Sequence, residues 1–188
     1  MNQTSKVYLN KVVFLFTLLA KRVRQFLWAL KYGSLFEILS KDIYCVGGFS
    51  KSRKAEMIFN GKRVYIGPNC NVGCRIEFYS SILIGPNVSF VGADHVYNDL
   101  GSLMFDSGRP EMKGIIIEDD VWAGHCAIIM DGVKLGRHSI IAAGSIVTKD
   151  TVPFSINAGC PSKVIKYRFD DMKMREEYLK NISYRISR

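Results

Sequence analysis

The sequence predicts a mainly β chain, a parallel solenoid of six-residue repeats, and three observations lead there. From Ile117 onward, apolar or small residues recur at every sixth place: Ile117, Ala123, Ile129, Leu135, Ile141, Val147, Pro153 and Gly159. Four places after these stand Val121, Ala127, Val133, Ser139, Ser145, Thr151 and Asn157, most of them small or apolar. The same period runs upstream through Ile66, Val72, Phe78, Ile84 and Phe90, with Cys70, Ile76, Ile82 and Val88 as companions. A period of six is neither helical nor a plain two-residue alternation; it suits a short strand closed by a turn and repeated. Such coils bury a continuous ladder only when they stack. The turns fall at Gly67-Pro68-Asn69, Gly85-Pro86-Asn87 and Asp119-Asp120, residue types for which unusual backbone angles cost least.

Residues 117–169, IEDDVWAGHCAIIMDGVKLGRHSIIAAGSIVTKDTVPFSINAGCPSKVIKYRF, resemble the C-terminal half of the hexapeptide-repeat acyltransferases. In pattern they are most similar to the xenobiotic acetyltransferases, the galactoside and maltose acetyltransferases, and the O-acetyltransferases of surface-polysaccharide gene clusters. The likeness extends over residues 60 to 169. It implies a left-handed parallel β-helix with three hexads per coil, an exception to the usual right-handed crossover. It further implies a homotrimer with sites between subunits and acetyl-CoA as the acyl donor.

At 188 residues, 48% hydrophobic and 23% charged, the chain suffices for one domain with a sizeable core. Its formal net charge is +9, and Lys6, Lys11, Lys21, Arg22, Arg24 and Lys31 all precede the first acid, Glu37. That excess fits a solvated face, an anionic membrane surface or an acidic glycan. No nucleic-acid module accompanies it, so no nucleic-acid partner is expected. The five cysteines, Cys45, Cys70, Cys74, Cys126 and Cys160, form no even disulfide framework, which points to reduced thiols in a cytoplasmic protein. Cys70 and Cys74 lack the second pair a zinc site needs, and no metal is expected.

In chain order, residues 1–40 are expected to form a basic amphipathic helical segment. The apolar run 12–20 is too short to span a bilayer, and Lys21, Arg22 and Arg24 stand where a signal cleavage site would lie. Leu15, Phe16, Leu19, Val23, Phe26, Leu27 and Leu30 keep helical spacing, with Trp28 and Tyr32 nearby and Gly33 as a stop. Two readings fit: a helix packed on the trimer or the first coil, or one lying in a membrane interface through residues 11–32, at the inner face of the cell membrane. Residues 41–169 are expected to form the β-helix, with short strands around Ile43, Tyr44, Val46 and 57–59, an exposed loop over 47–53 and regular hexads from Arg63. The 27 residues separating Phe90 from Ile117 are not a multiple of six, so residues 92–114 loop out. A polar insertion of that length in a tight solenoid points to function. Residues 170–188 read as a helix with Asp170 and Asp171 at its N-terminus and Met172, Tyr178, Leu179, Ile182 and Ile186 toward the barrel.

The chain has three histidines, and they separate by position. His95 stands beside Asp94 where the repeat breaks, with Asn98 close behind. Moving an acyl group from a thioester to a hydroxyl needs a base for the hydroxyl proton, and imidazole titrates near neutrality. His95 is therefore the candidate base, with Asp94 or a backbone carbonyl on its second ring nitrogen. In the resembling enzymes a loop of this kind leaves the coil beside the catalytic histidine and covers a neighbouring subunit's site. His125 follows Trp122-Ala123-Gly124 and is either a contact for the pantetheine end of coenzyme A or an outward turn residue. His138 reads as structural. No two histidines show the close spacing of the metal-binding γ-carbonic anhydrases. Ala143 and Gly144 offer small residues for a thin pantetheine arm. By their match to the family pattern, Thr148, Lys149, Lys163, Lys166 and Arg168 fall on the phosphate and adenine side of the cofactor, where cations neutralise the phosphates. Trp122 and Asn98 are candidates for the acceptor side, although Trp122 could equally pack between subunits. The resulting expectation is acetylation of a sugar hydroxyl in surface-polysaccharide or lipid-linked oligosaccharide assembly. An antibiotic or small-amine acetyltransferase and a non-catalytic solenoid scaffold are the alternatives.

Overall fold

The structure, a computed structural model, describes residues 40–92 and 94–186, together with Phe16, Leu19, Ala20, Arg22, Val23, Phe26 and Leu27, which are helical. The remainder of the expected 1–40 segment, Trp28 and Tyr32 included, lies outside the described residues, as do residues 187 and 188 of the C-terminal segment. No helix among the described residues is long and apolar enough to cross a membrane.

Before the insertion run β1 (Ile43–Cys45), β2 (Ser50–Lys51), β3 (Met57–Phe59), β4 (Val64–Ile66), β5 (Asn71–Val72), β6 (Ile76–Phe78), β7 (Ile82–Ile84) and β8 (Ser89–Val91). After it come β9 (Ile115–Ile117), β10 (Trp122–Ala123), β11 (Ile128–Met130), β12 (Lys134–Leu135), β13 (Ile140–Ile141), β14 (Ile146–Val147), β15 (Ser155–Gly159) and β16 (Ser162–Tyr167). They form three sheets: β1-β4-β7-β10-β13-β15-β16, β2-β5-β8-β11-β14 and β3-β6-β9-β12. Each of the first four coils contributes one strand to each face, and all pairings are parallel except the closing β15–β16 hairpin. Val64 pairs with Ile82 and Trp122 with Ile140, a regular step of 18 residues. Leu83 pairs with Trp122, a step of 39. The excess of 21 over the regular step is the detour of the insertion, which explains the expected break in the six-residue count.

Ile117, Ala123, Ile129, Leu135, Ile141 and Val147 are fully buried, as are Phe78, Ile84 and Phe90 upstream. The companions Cys70, Ile76, Ile82, Val88, Val121, Ala127, Ser139 and Ser145 are buried beside them. Phe59 stacks on Phe78 at 5.2 Å and Phe90 meets Phe78 edge-on at 6.2 Å, so aromatic rings fill the lower coils. The coils approach closely enough to exclude a side chain at one corner. A Cβ at Gly85 would stand 2.9 Å from the His125 amide nitrogen, and one at Gly124 2.7 Å from that of Ala143.

Pro153 and Gly159 depart from the hexad expectation, because both are exposed. Past Val147 the third sheet receives no further strand. The chain instead turns at Phe154, with a φ of 63°, into the β15–β16 hairpin, so Phe154, Ser155 and Asn157 take the buried places. The loop expected over 47–53 contains the two-residue strand β2, paired with β5.

The C-terminal helix α1 spans Met172–Ile186. Asp171 caps it, its carboxylate accepting from the Lys173 amide at 3.0 Å. Met172 and Leu179 do not face the barrel as expected; they are 63% and 41% exposed. The end of the solenoid offers polar and aromatic partners rather than an apolar face. Arg175 accordingly lies over the Tyr167 ring at 4.6 Å and donates from Nε to the Phe169 carbonyl at 3.0 Å.

Candidate active site

The insertion leaves the solenoid after β8, at the edge between the second and third sheets, and returns at β9. Its neck closes on itself. The Val96 amide donates to the Gly108 carbonyl at 3.1 Å, and the Ser107 hydroxyl reaches the Val96 and Met104 carbonyls. Its return is clamped by Asp131, whose two oxygens accept from the Lys113 and Gly114 amides, each at 2.8 Å. Beyond the neck the tip exposes Tyr97, Leu100, Leu103, Met104 and Phe105.

Asp94, His95 and Asn98 stand at the outward limb, all exposed in the single chain. Asp94 lines a cavity of about 240 Å³ between the two limbs, with Pro110, Glu111, Met112 and Lys113 on one side and Val91, Met130 and Asp131 on the other. Cys74 belongs to the same edge. Burial, with Asp131 beside it, pushes its thiol up to about 12, so it stays protonated and is a poor nucleophile.

Three other candidates gather at the opposite edge of the second sheet. The Gly144 amide donates to the His125 carbonyl at 2.8 Å, joining His125, Ala143 and Gly144 on consecutive coils. His125, Ala143 and Gly144 are exposed, and Gly144, with a φ of 69°, faces open space. This is bare backbone with nothing to obstruct a thin ligand. Trp122 is half-exposed on the neighbouring first sheet, flanked by Leu83 and Ile140.

Thr148 and Lys149 follow β14 on the insertion's own edge, exposed, while Lys163 and Lys166 are exposed on β16. Arg168 is engaged elsewhere. Its Nη1 donates to Asp120 Oδ2 at 2.7 Å and to the His138 carbonyl at 3.2 Å, and its Nη2 to the Tyr178 hydroxyl at 3.2 Å. Asp120 also accepts from His138 Nδ1 at 3.1 Å and from the Tyr178 hydroxyl. Burial alone would raise the Asp120 carboxyl, but the hydrogen bonds from His138, Tyr178 and Arg168 and the Arg168 charge outweigh it and carry it down to about 2. His138 itself is buried and stacked on Phe154 at 4.5 Å. The cluster ties α1 to the barrel.

The second sheet separates His95 from His125, Ala143 and Gly144, since the two groups flank its opposite edges. One chain therefore presents an imidazole at one edge and exposed backbone at the other. Among the described residues no group of three His, Cys, Asp or Glu gathers as a metal site.

The model of the bacterial transferase hexapeptide family (six repeats) matches residues 114–149. Galactoside O-acetyltransferase of Escherichia coli K12 is 30% identical over 156 residues, which span 73% of this chain and 75% of that protein. Chloramphenicol acetyltransferase of Morganella morganii is 51% identical over 55 residues, 29% of this chain and 26% of that protein. The crystal structure of a hexapeptide-repeat-containing acetyltransferase of Vibrio cholerae O1 biovar eltor, complexed with acetyl coenzyme A, matches with a TM-score of 0.57. That match is 26% identical and covers 73% of this chain and 76% of that one. The chain spans 51% and 26% of the lengths of two of the curated relatives it matches.

Proposed function

The chain belongs to the hexapeptide-repeat acetyltransferase family, and we propose that it moves an acetyl group from acetyl-CoA to a sugar hydroxyl. The observation that carries this reading is the interruption of the hexad ladder after Phe90, where Asp94 lines a cavity and the exposed His95 is its neighbour in the chain. In the proposed step the acceptor oxygen attacks the thioester carbonyl carbon while its proton passes to His95. Collapse of the tetrahedral intermediate breaks the carbon–sulfur bond, and the proton moves from His95 to the departing thiolate. The products are an acetyl ester and free coenzyme A. Asp94 orients the imidazole and Asn98 and Trp122 contact the acceptor. His125, Ala143 and Gly144 line the pantetheine arm, and Thr148, Lys149, Lys163 and Lys166 serve the phosphates. Arg168 is left to α1.

The assembly proposed is a homotrimer, in which the insertion of one copy meets the backbone groove of the next. Two features support it: the five apolar side chains exposed at the tip, and the placement of base and groove on opposite edges of one sheet. The domain division 1–40, 41–169 and 170–188 belongs to the same proposal.

Labelled acetyl-CoA incubated with separate glycan and antibiotic panels tests the activity. Label is expected on glycan hydroxyls. Label confined to antibiotics would favour the second reading, which the identity to chloramphenicol acetyltransferase over 55 residues supports. A chain that binds no coenzyme A in a calorimetric titration would be a scaffold.

A surface-glycan or lipid-linked acceptor would draw a cytoplasmic enzyme to the inner face of the membrane. In support, Phe16, Leu19, Val23, Phe26 and Leu27 share helical spacing and are all exposed, within a stretch rich in cations. The full chain is expected to partition onto anionic vesicles about tenfold more than a chain lacking residues 1–33, and to release them in high salt. Equal partitioning of the two chains would end the membrane assignment.

A further inference from the structure

The edge that carries the insertion holds a second cavity. It measures about 390 Å³ and is lined by Ser52, Arg53, Lys54, Arg109, Pro110 and Met112. Half of that lining is cationic and none of it acidic. The three cations come from places far apart in sequence. Arg53 and Lys54 stand at the corner of the first coil, and Arg109 on the returning limb of the insertion. Among the described residues the salt bridges of arginines involve Arg75, Arg137 and Arg168, and none involves Arg53, Lys54 or Arg109. Three like charges around one concavity repel each other, and an anion placed there relieves that repulsion.

This cavity adjoins the one beside Asp94, because Pro110 and Met112 wall both. The cavity beside Asp94 has the opposite sign: Asp94, Glu111 and Asp131 line it against Lys113 alone. A ligand lying along both therefore meets a field that runs from positive to negative. An oxyanion is held at the guanidinium end, which suits it geometrically, and is repelled from the carboxylate end. A neutral hydroxyl suffers no such repulsion and is the group left facing Asp94 and its neighbour His95.

We propose that the acceptor is a sugar carrying an oxyanion, phosphate or carboxylate, bound by Arg53, Lys54 and Arg109 so that one of its hydroxyls is delivered to His95. The inference rests on the acetyltransferase reading for its reaction, which is unchanged, and adds the acceptor class. Pro110 and Met112 supply an apolar wall for the sugar ring between the two charged ends.

The test uses glucose 1-phosphate, glucuronate and glucose as acceptors, with thiol release from acetyl-CoA as the signal. Either anion is expected to exceed glucose in kcat/KM by about 30-fold, the scale of charge-assisted contacts. The R53Q/K54Q/R109Q chain is expected to bring that preference to within about threefold through KM. The better of the two anions distinguishes phosphate from carboxylate. Equal use of glucose and the anions by the wild-type chain, or a preference that survives in the variant, would overturn the proposal. Calorimetric titrations with glucose 1-phosphate and with coenzyme A separate the two claims if no acceptor turns over. Binding of the sugar phosphate that is lost in the variant supports the anion site even where coenzyme A fails to bind, an outcome that sinks the enzymatic reading alone. No binding of either anion to the wild-type chain overturns the anion site.

Discussion

His95→Ala is expected to lower kcat for acetyl transfer by about 10²- to 10⁴-fold, the range typical of losing a positioned general base. Circular dichroism should stay unchanged, because the exposed His95 side chain is no part of the core, and coenzyme A affinity should stay unchanged, because the contacts proposed for the cofactor are made by other residues. His138 cannot take the place of His95, because it is locked between the Asp120 carboxylate and the Phe154 ring, and His125 of the same chain stands at the far edge of the second sheet. Steady-state thiol release with an accepted sugar makes the measurement. A variant with wild-type kcat would remove His95 from the reaction.

Asp120→Ala is expected to destabilise the chain by about 2–3 kcal/mol, below the range for a fully buried ion pair because Asp120 is partly exposed. The substitution strips the carboxylate partner from Arg168, His138 and Tyr178 together, and α1 should lose its protection from hydrogen exchange first. Acid should act the same way on the wild-type chain. The folded carboxyl titrates at about 2, below its ordinary 3.8, so its contribution is complete above the ordinary value and disappears as pH falls through 2. The difference corresponds to up to roughly 2 kcal/mol. Urea unfolding at fixed protein concentration, from pH 7 down to pH 2, checks both statements. An Asp120→Asn chain that loses as much stability over the acid limb as the wild type would show that other carboxyls carry the effect.

The repeat was legible because it is local and redundant. Ile117 and the next five inward positions each report the same stacking, so the fold survives ambiguity at any one of them. The insertion was legible for a related reason, since a count that fails to divide by six marks where the chain leaves the coil. The frame failed at Pro153 and Gly159, where stacking ends and the β15–β16 hairpin replaces it. Candidates at one corner on adjacent coils, His125 with Ala143 and Gly144, fall together because their separation is close to the coil step. The engagement of Arg168 with Asp120 was not legible, because a cation near the chain's end carries no sign of its partner.

What the sequence determined by itself was everything that repeats: inward positions, corner residues and the point where the ladder breaks, the three faces being implied only by the family resemblance. What only the tertiary structure decided was everything that joins unlike coils. Asp120 meets Arg168 across 48 residues and Tyr178 across 58. Arg53 and Lys54 meet Arg109 only because a detour of 21 residues brings its returning limb down over the first coil. A periodic ladder can be read from any one of its rungs, whereas contacts between a loop, a hairpin or a helix and the ladder depend on geometry that no local pattern encodes.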